Sequence, residues 1–166
     1  MKIYISSDHT GFSIKEKITA YLVETDHKVE DMGAFELDPT DDYPDYVRPV
    51  ARSVASDLGS FGFIFGGSGQ GEAMCANRER GVRAAVFYGK VVAQGAIDIE
   101  GKKSEDPFEI IKLARIHNNA NILAVSTRFL DEEDIKKAVQ LFLDTDFQDE
   151  ERHMRRIRKI DEINHE

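Results

Sequence analysis

Hydrophobic residues recur along the chain in two alternating patterns, one typical of buried strands and the other of amphipathic helices. Residues 2–6 form a short β-prone run, and apolar residues then recur at helical spacing over residues 14–22. Residues 27–33 form a second strand-like run. Residues 61–65 form an unbroken apolar run, which is typical of parallel strands that are covered on both faces. The pattern predicts strands separated by helices.

The second half of the chain continues this alternation. Strands are predicted at residues 83–88 and 121–126. Apolar residues that step by four predict a helix over residues 46–58, ahead of the third strand. Further helices are predicted over residues 72–79 and over residues 135–142, each directly after a predicted strand.

Strands that alternate with helices predict an α/β fold with right-handed crossovers. We expect a three-layer α/β/α sandwich with a Rossmann-like parallel sheet of about five strands, in one domain that spans residues 1–166. Residues 89–108 are punctuated by glycines and a proline, and they predict an irregular insertion. A C-terminal helix is predicted at about 148–164, because apolar residues from Met154 to Ile163 are spaced by three.

Charge and composition exclude several classes of protein. The chain has 22 basic and 31 acidic residues, a net charge of −9, which disfavours binding to nucleic acid. A single cysteine, Cys75, cannot form an intramolecular disulfide, so we expect a reducing, cytoplasmic location. No run of about 18 apolar residues occurs, and we expect no membrane attachment.

Three glycines and a serine follow the buried run at residues 61–65. Their backbone N–H groups can approach an anion, and the following helix N-terminus favours negative charge. The dinucleotide-binding fingerprint fails because Glu72 stands where a glycine is required. A tight turn without any ligand is the alternative. Glu72 itself is either a first-turn acid that stabilises the helix or a general base whose pKa is raised by burial.

Two His-containing pairs flank predicted strands. Asp8 and His9 follow the first strand, and His117 and Asn118 precede the last one. We expect both pairs at one carboxyl edge of the sheet, where ligands bind in such folds. A metal site formed by Asp8, His9 and His117 has little support, because the chain lacks a pair of histidines at helical spacing.

Five of the basic residues lie between positions 152 and 159, in an otherwise acidic protein. Arg152 and Arg156 are one helical turn apart, so both guanidinium groups can clamp one phosphate. Arg128, which follows the last predicted strand, is a candidate third member. The alternative is a solvated helix face that offsets the acidic remainder of the chain.

Taken together, six segments resemble the ribose-5-phosphate isomerase B family, which includes the galactose-6-phosphate isomerase subunits. They occur in the family's order over nearly the whole chain. The segments are SDHTGF, DYPDY, GGSGQGEAMCANR, GVRAA, ARIHNNANIL and RHMRRI. The resemblance implies an isomerase that interconverts an aldose phosphate and its ketose, with ribose 5-phosphate and ribulose 5-phosphate favoured.

The resemblance also assigns the chemistry to particular residues. Many family members carry a cysteine as the base where this chain has Gly66, whereas an actinobacterial-type branch uses a glutamate just after the glycine loop. GGSGQGE matches that branch, so Glu72 is the implied base. His117 is the implied acid that opens the furanose ring, and Asp8 and Ser68 complete the implied catalytic set. The implied substrate-binding residues are His9, Tyr43, Gly67, Gly69, Gln70, Gly71, Asn118, Arg128, Arg152 and Arg156.

Further expectations follow from the same resemblance. No metal or organic cofactor is implied, and the expected partner is a small-molecule sugar phosphate. Family members assemble as homodimers or homotetramers with active sites at the subunit interface. The insertion at 89–108 departs from the typical shorter connection and leaves two alternatives open. One is an isomerase of a six-carbon aldose 6-phosphate of allose or galactose type, and the other is a sugar-phosphate-binding module without catalysis.

Overall fold

A five-stranded parallel sheet forms the centre of the computed structural model, which describes residues 1–162. The strand order is β2-β1-β3-β5-β4, and every neighbouring pair is parallel. The strands are β1 (Lys2–Ser7), β2 (Lys28–Asp31), β3 (Phe61–Gly66), β4 (Ala84–Phe87) and β5 (Ile122–Ser126). The predicted parallel sheet is confirmed.

Six helices lie within the same described residues. They are α1 (Phe12–Glu24), α2 (Pro44–Ser56), α3 (Gln70–Ala76), α4 (Glu109–Asn118), α5 (Glu132–Asp144) and α6 (Glu151–Asp161). Buried residues of α1, α4 and α5 share one hydrophobic core with the sheet, and those of α2 and α3 share a second core on the other face. The three-layer prediction is therefore confirmed. None of the helices described over residues 1–162 has the length and apolar character needed to cross a bilayer.

The buried run at β3 explains how the layers pack. Phe63 and Phe65 belong to the core under α1 and α5, whereas Ile64 belongs to the core under α2. The ring of Phe63 meets that of Phe142 edge-on, with 5.8 Å between centroids. A Cβ at Gly62 would lie 3.0 Å from the Val50 side chain, so the glycine allows α2 to lie close to the sheet.

Several predicted helix boundaries differ from those of the structure. Helix α2 ends at Ser56, because Asp57 leaves the helical conformation, and Leu58 beyond it is 93% exposed. Helix α3 ends at Ala76, because the Asn77 side chain instead exchanges two hydrogen bonds with the backbone of Ala84 at the start of β4. Helix α6 begins at 151 rather than near 148 and ends at 161. Positions 163 and 164 of its predicted span lie outside the described residues.

Residues 89–108, all of which are described, contain neither helix nor strand. Backbone hydrogen bonds close this excursion at its base and near its tip, from Val91 N–H to Pro107 O at 3.1 Å and from Ile97 N–H to Lys102 O at 2.8 Å. An ion pair of 2.7 Å between Lys90 and Asp134 ties its first residues to α5. The excursion therefore has a defined course over the protein surface.

Candidate active site

The loops that follow β1, β3 and β5 are tied together at the carboxyl edge of the sheet. The N–H of Asp8 donates to Phe65 O at 3.3 Å, and the N–H of Thr127 donates to Gly66 O at 2.9 Å. The Thr127 hydroxyl lies 3.1 Å from both Gly66 O and Thr10 O. Sequence reasoning missed Thr127, which fixes the relative position of the three loops.

The glycine loop between β3 and α3 is flanked by the Arg128 and Tyr43 side chains. A Cβ at Gly67 would lie 3.1 Å from the guanidinium carbon of Arg128, and a Cβ at Gly71 would lie 2.8 Å from the Tyr43 hydroxyl. Gly69 is the N-cap residue directly before α3 and has a φ of +76°, a conformation that favours glycine. Because these glycines have no side chains, the Arg128 and Tyr43 side chains can lie close to the loop backbone.

Glu72 points back from the first turn of α3 towards the end of β3. Its side chain fills the space in front of Gly66, so a Cβ at that position would overlap the Glu72 carboxyl group. The residue is only 4% exposed. Gly66 and Glu72 are thus complementary, because the missing side chain of one makes room for the carboxylate of the other.

The environment of Glu72 raises the pKa of its carboxyl group. Burial raises the pKa of the Glu72 carboxyl above its ordinary value, and the negative charge of Asp8 raises it further. A backbone hydrogen bond at Glu72 and the positive charge of Arg128 oppose this shift. Burial therefore outweighs the influences that lower the pKa, which the sequence alone left open.

Asp8 is a buried carboxylate with a fixed orientation. Its Oδ1 accepts hydrogen bonds from the Thr10 N–H at 2.9 Å, the Thr10 hydroxyl at 2.5 Å and the Gly11 N–H at 3.2 Å. Gly11 packs directly against the Phe65 carbonyl, where a Cβ would clash. The carboxylate is therefore held rigidly between the ends of β1 and β3.

His9 is paired with Asp41, a residue that sequence reasoning also missed. The His9 Nδ1 lies 2.5 Å from Asp41 Oδ1, and the His9 backbone N–H donates to the same oxygen at 3.3 Å. This hydrogen bond raises the pKa of His9. Asp8, His9 and Asp41 offer ligand atoms within 4.8 Å of one another, a spacing that could suit a metal ion. Hydrogen bonds of the protein already engage Asp8 Oδ1 and His9 Nδ1, and they account for this closeness.

His117 and Asn118 lie elsewhere, and the expectation that they share an edge with Asp8 was wrong. Helix α4 runs back from the carboxyl edge to the amino edge before β5 begins, so its last residues lie at the amino edge. The carbonyl of Asn118 accepts a hydrogen bond of 3.0 Å from Arg83, which directly precedes β4. The considered metal group of Asp8, His9 and His117 is therefore not formed within one chain.

A second cluster surrounds His117. Its ring stacks on that of His153, with centroids 4.5 Å apart. A cavity of about 210 Å³ is lined by both histidines, Arg152, Arg156 and residues 96–99 of the excursion. Burial lowers the pKa of His153, and the charges of His117 and Arg152 lower it further. The two arginines thus line one cavity, whereas Arg128 lies against the glycine loop.

The match to known proteins covers both clusters. A family model described as ribose/galactose isomerase matches residues 3–101 and 106–160. The chain belongs to the ribose/galactose isomerase family. The match is interrupted at residues 102–105, which lie within the excursion.

Members of the ribose/galactose isomerase family resemble this chain along nearly its whole length. Ribose-5-phosphate isomerase B of Mycolicibacterium paratuberculosis is 34% identical over 95% of this chain and 87% of its own. The crystal structure of ribose-5-phosphate isomerase B from Mycoplasma genitalium with bound ribulose-5-phosphate is 36% identical, with a TM-score of 0.81 over 96% of this chain and 93% of that one. The Thermotoga maritima enzyme is 40% identical, with a TM-score of 0.82 over 98% of both chains.

Within this family fold, the structure divides the predicted site residues between the two edges of the sheet. Those at the carboxyl edge are Asp8, His9, Tyr43, Gly67, Ser68, Gly69, Gln70, Gly71, Glu72 and Arg128. We call these residues, with Asp41, the Glu72 cluster. His117, Arg152 and Arg156 form the second, or His117, cluster with His153. Asn118 lies outside this cavity, in a groove with Arg83 and Ile160.

Proposed function

We propose that this protein is an aldose–ketose isomerase that interconverts ribose 5-phosphate and ribulose 5-phosphate. The observation that carries the proposal is the buried Glu72 carboxylate beside the glycine loop. The relative from Mycoplasma genitalium, whose structure holds ribulose-5-phosphate, supports the choice of substrate. The family match includes the glycine loop and nearly all of the C-terminal helix.

In the proposed reaction, Glu72 removes the proton from C2 of the open-chain aldose and returns it to C1. The electron pair of the broken C–H bond moves into a double bond between C1 and C2, and the carbonyl oxygen O1 becomes the enediolate oxyanion. The hydroxyl proton of O2 then passes to O1, and protonation of C1 leaves the ketose carbonyl at C2. A raised pKa makes Glu72 a stronger base than an ordinary carboxylate. The N–H groups of the glycine loop and the Ser68 hydroxyl stabilise the oxyanion, because preorganised donors act where charge develops.

The His117 cluster supplies the remaining groups from a second copy of the chain. His117 and Asp8 are at opposite edges of one sheet, so one chain cannot bring both to the same sugar. In a homodimer, His117 of one chain assists ring opening at the Glu72 cluster of the other. Arg152 and Arg156 bind the phosphate there through charge-assisted hydrogen bonds. Remote binding energy of this kind holds the reacting carbons near the base.

Subunit complementation tests the two-chain site. Glu72→Gln and His117→Ala are each expected to abolish turnover. When the two variants are unfolded and refolded together in equal amounts, half of the dimers are hybrids, and each hybrid contains one intact site. Activity should return to about a quarter of the wild-type value. Absence of recovery, with hybrid dimers verified by mass spectrometry, would overturn the two-chain arrangement.

A direct assay tests the reaction itself. Purified wild-type protein is expected to isomerise ribose 5-phosphate in the presence of a metal chelator. Glu72→Gln should reduce turnover by at least about 100-fold, a typical contribution of a general base. Glu79→Gln is the matched control, because this acid lies just beyond α3 and pairs only loosely with Arg52, at 3.8 Å. Equal turnover in both variants would refute Glu72 as the base.

A six-carbon aldose 6-phosphate is the second candidate substrate. Residues 96–99 line the same cavity as His117, Arg152 and Arg156, so the excursion borders the proposed phosphate-binding cluster. Loops beside active sites commonly set specificity. Rates on ribose 5-phosphate and allose 6-phosphate, measured in competition, distinguish the two. Tight binding of either sugar phosphate without proton exchange would instead indicate a binding module.

A further inference from the structure

The carboxylate of Asp41 is buried beside His9, and the proposed reaction assigns it no role. The Asp41 side chain is 4% exposed, although it lies on an acidic surface loop. Its Oδ1 contacts both the ring Nδ1 and the backbone N–H of His9. Its Oδ2 is buried and has no hydrogen-bond partner among residues 1–162. The contact with His9 is thus the one that compensates this buried carboxylate.

A buried carboxylate with one free oxygen is costly unless a positive group lies close to it. The His9 ring is the nearest such group, and its side chain is 32% exposed. Asp8, Asp38 and Arg128 are the other charged groups that interact with His9. The carboxylates favour the imidazolium form of His9, and Arg128 opposes it. The contact between His9 Nδ1 and Asp41 Oδ1 is short, as is expected when both partners of a hydrogen bond are charged.

We propose that Asp41 is a positioning residue that engages the Nδ1–H of His9 and holds the ring so that Nε2 faces the sugar phosphate. With Nδ1 engaged by Asp41, Nε2 is the ring atom available to a ligand. In the imidazolium form, Nε2 donates a hydrogen bond to an oxygen of the substrate. This proposal takes the identity of the ligand from the proposed function. The protonation state of the His9 ring can be measured without any assay of turnover.

Asp41 also lies two residues before Tyr43, whose hydroxyl is against Gly71. Its bond to His9 joins the loop before α2 to the loop after β1, a link across 32 residues of sequence. A purely structural role would consist of this link alone. The two roles differ in one respect, since only the positioning role makes turnover depend on the protonation state of His9.

The test compares Asp41→Asn with Asp38→Asn, a matched control on the same loop whose carboxylate is exposed and bonds to Thr40. The ring signals of His9 are assigned with His9→Gln and titrated by NMR. In the wild type, the midpoint should lie above the ordinary value of 6.5, with the proton retained on Nδ1. Asp41→Asn should lower the midpoint, and Asp38→Asn should change it much less.

Kinetics supply the second readout. The imidazolium of His9 is lost as pH rises through its pKa. The ratio of variant to wild-type kcat/KM for Asp41→Asn should therefore be closest to one at pH 6 and fall as pH rises towards 8. Titration of Glu72 and of the substrate phosphate affects both proteins alike and cancels in the ratio. An unmoved His9 midpoint, or an equal loss at every pH, would overturn the proposal. If Asp41→Asn does not fold, a wild-type titration midpoint of His9 at or below 6.5 would also overturn the proposal.

Discussion

Replacing Gly66 with alanine is expected to displace the Glu72 carboxylate while leaving the fold intact. A Cβ at position 66 would overlap the carboxyl group and lie 3.0 Å from Glu72 Cγ. Carbon atoms in contact prefer separations of about 3.5–4.0 Å. The side chain must therefore shift by on the order of 1 Å, and a misplacement of that size costs about 100-fold in rate. Overpacking at this buried position destabilises the protein by about 1–3 kcal/mol.

Steady-state isomerisation of ribose 5-phosphate measures the effect on catalysis, and thermal unfolding measures the effect on stability. The melting temperature of Gly66→Ala should fall by roughly 3–10 °C, so the protein remains folded at 25 °C. Gly95→Ala is the matched control, because a Cβ there meets no described atom within 4 Å. The double variant Gly66→Ala/Glu72→Asp shortens the acid by one methylene and should recover much of the lost stability. Turnover by Gly66→Ala above half of the wild-type rate would refute the argument.

Three further predictions concern the phosphate, the cysteine and the dependence of stability on pH. Arg156→Ala should raise KM at least about tenfold, because it removes a charge-assisted hydrogen bond of about 1.5–3 kcal/mol; an unchanged KM in initial-rate assays would contradict this. Cys75→Ala should keep kcat within about twofold, since Cys75 packs against the core under α2. The folded state binds the Glu72 proton more tightly than the unfolded state does, so stability should decline as pH rises above 4.5. In denaturant titrations at different pH values, the stability of Glu72→Gln should not show the part of this decline that is due to Glu72.

The sheet and most of the Glu72 cluster could be predicted from the sequence because their signals are local. The unbroken run of β3 continues directly into the glycine loop, and Glu72 follows within one turn of helix. Asp8 and His9 follow β1 in the same way. In a parallel sheet, residues after strands gather at one edge, so chain order alone predicted this part of the site.

The rest of the site depends on features that the pattern does not contain. Asp41 is one of several aspartates on an acidic loop, and only its contact with His9, 32 residues away, sets it apart. The role of Thr127 likewise depends on two loops distant in sequence. His117 was misplaced because it precedes a strand rather than follows one. A residue that ends a crossover helix lies at the amino edge of the sheet.

The separation of the two clusters to opposite edges of one sheet affects how the proposed enzyme tolerates damage. In the proposed homodimer, a chain without Glu72 still carries its own His117, Arg152 and Arg156, and it completes the proposed site of an intact partner. A defective allele therefore removes one of the two sites and leaves the other working, so its effect in a cell with both alleles is partial loss. Dilution acts differently. Once the proposed dimers dissociate, the two halves of every site lie on separate chains, so activity per chain falls as the protein concentration is lowered.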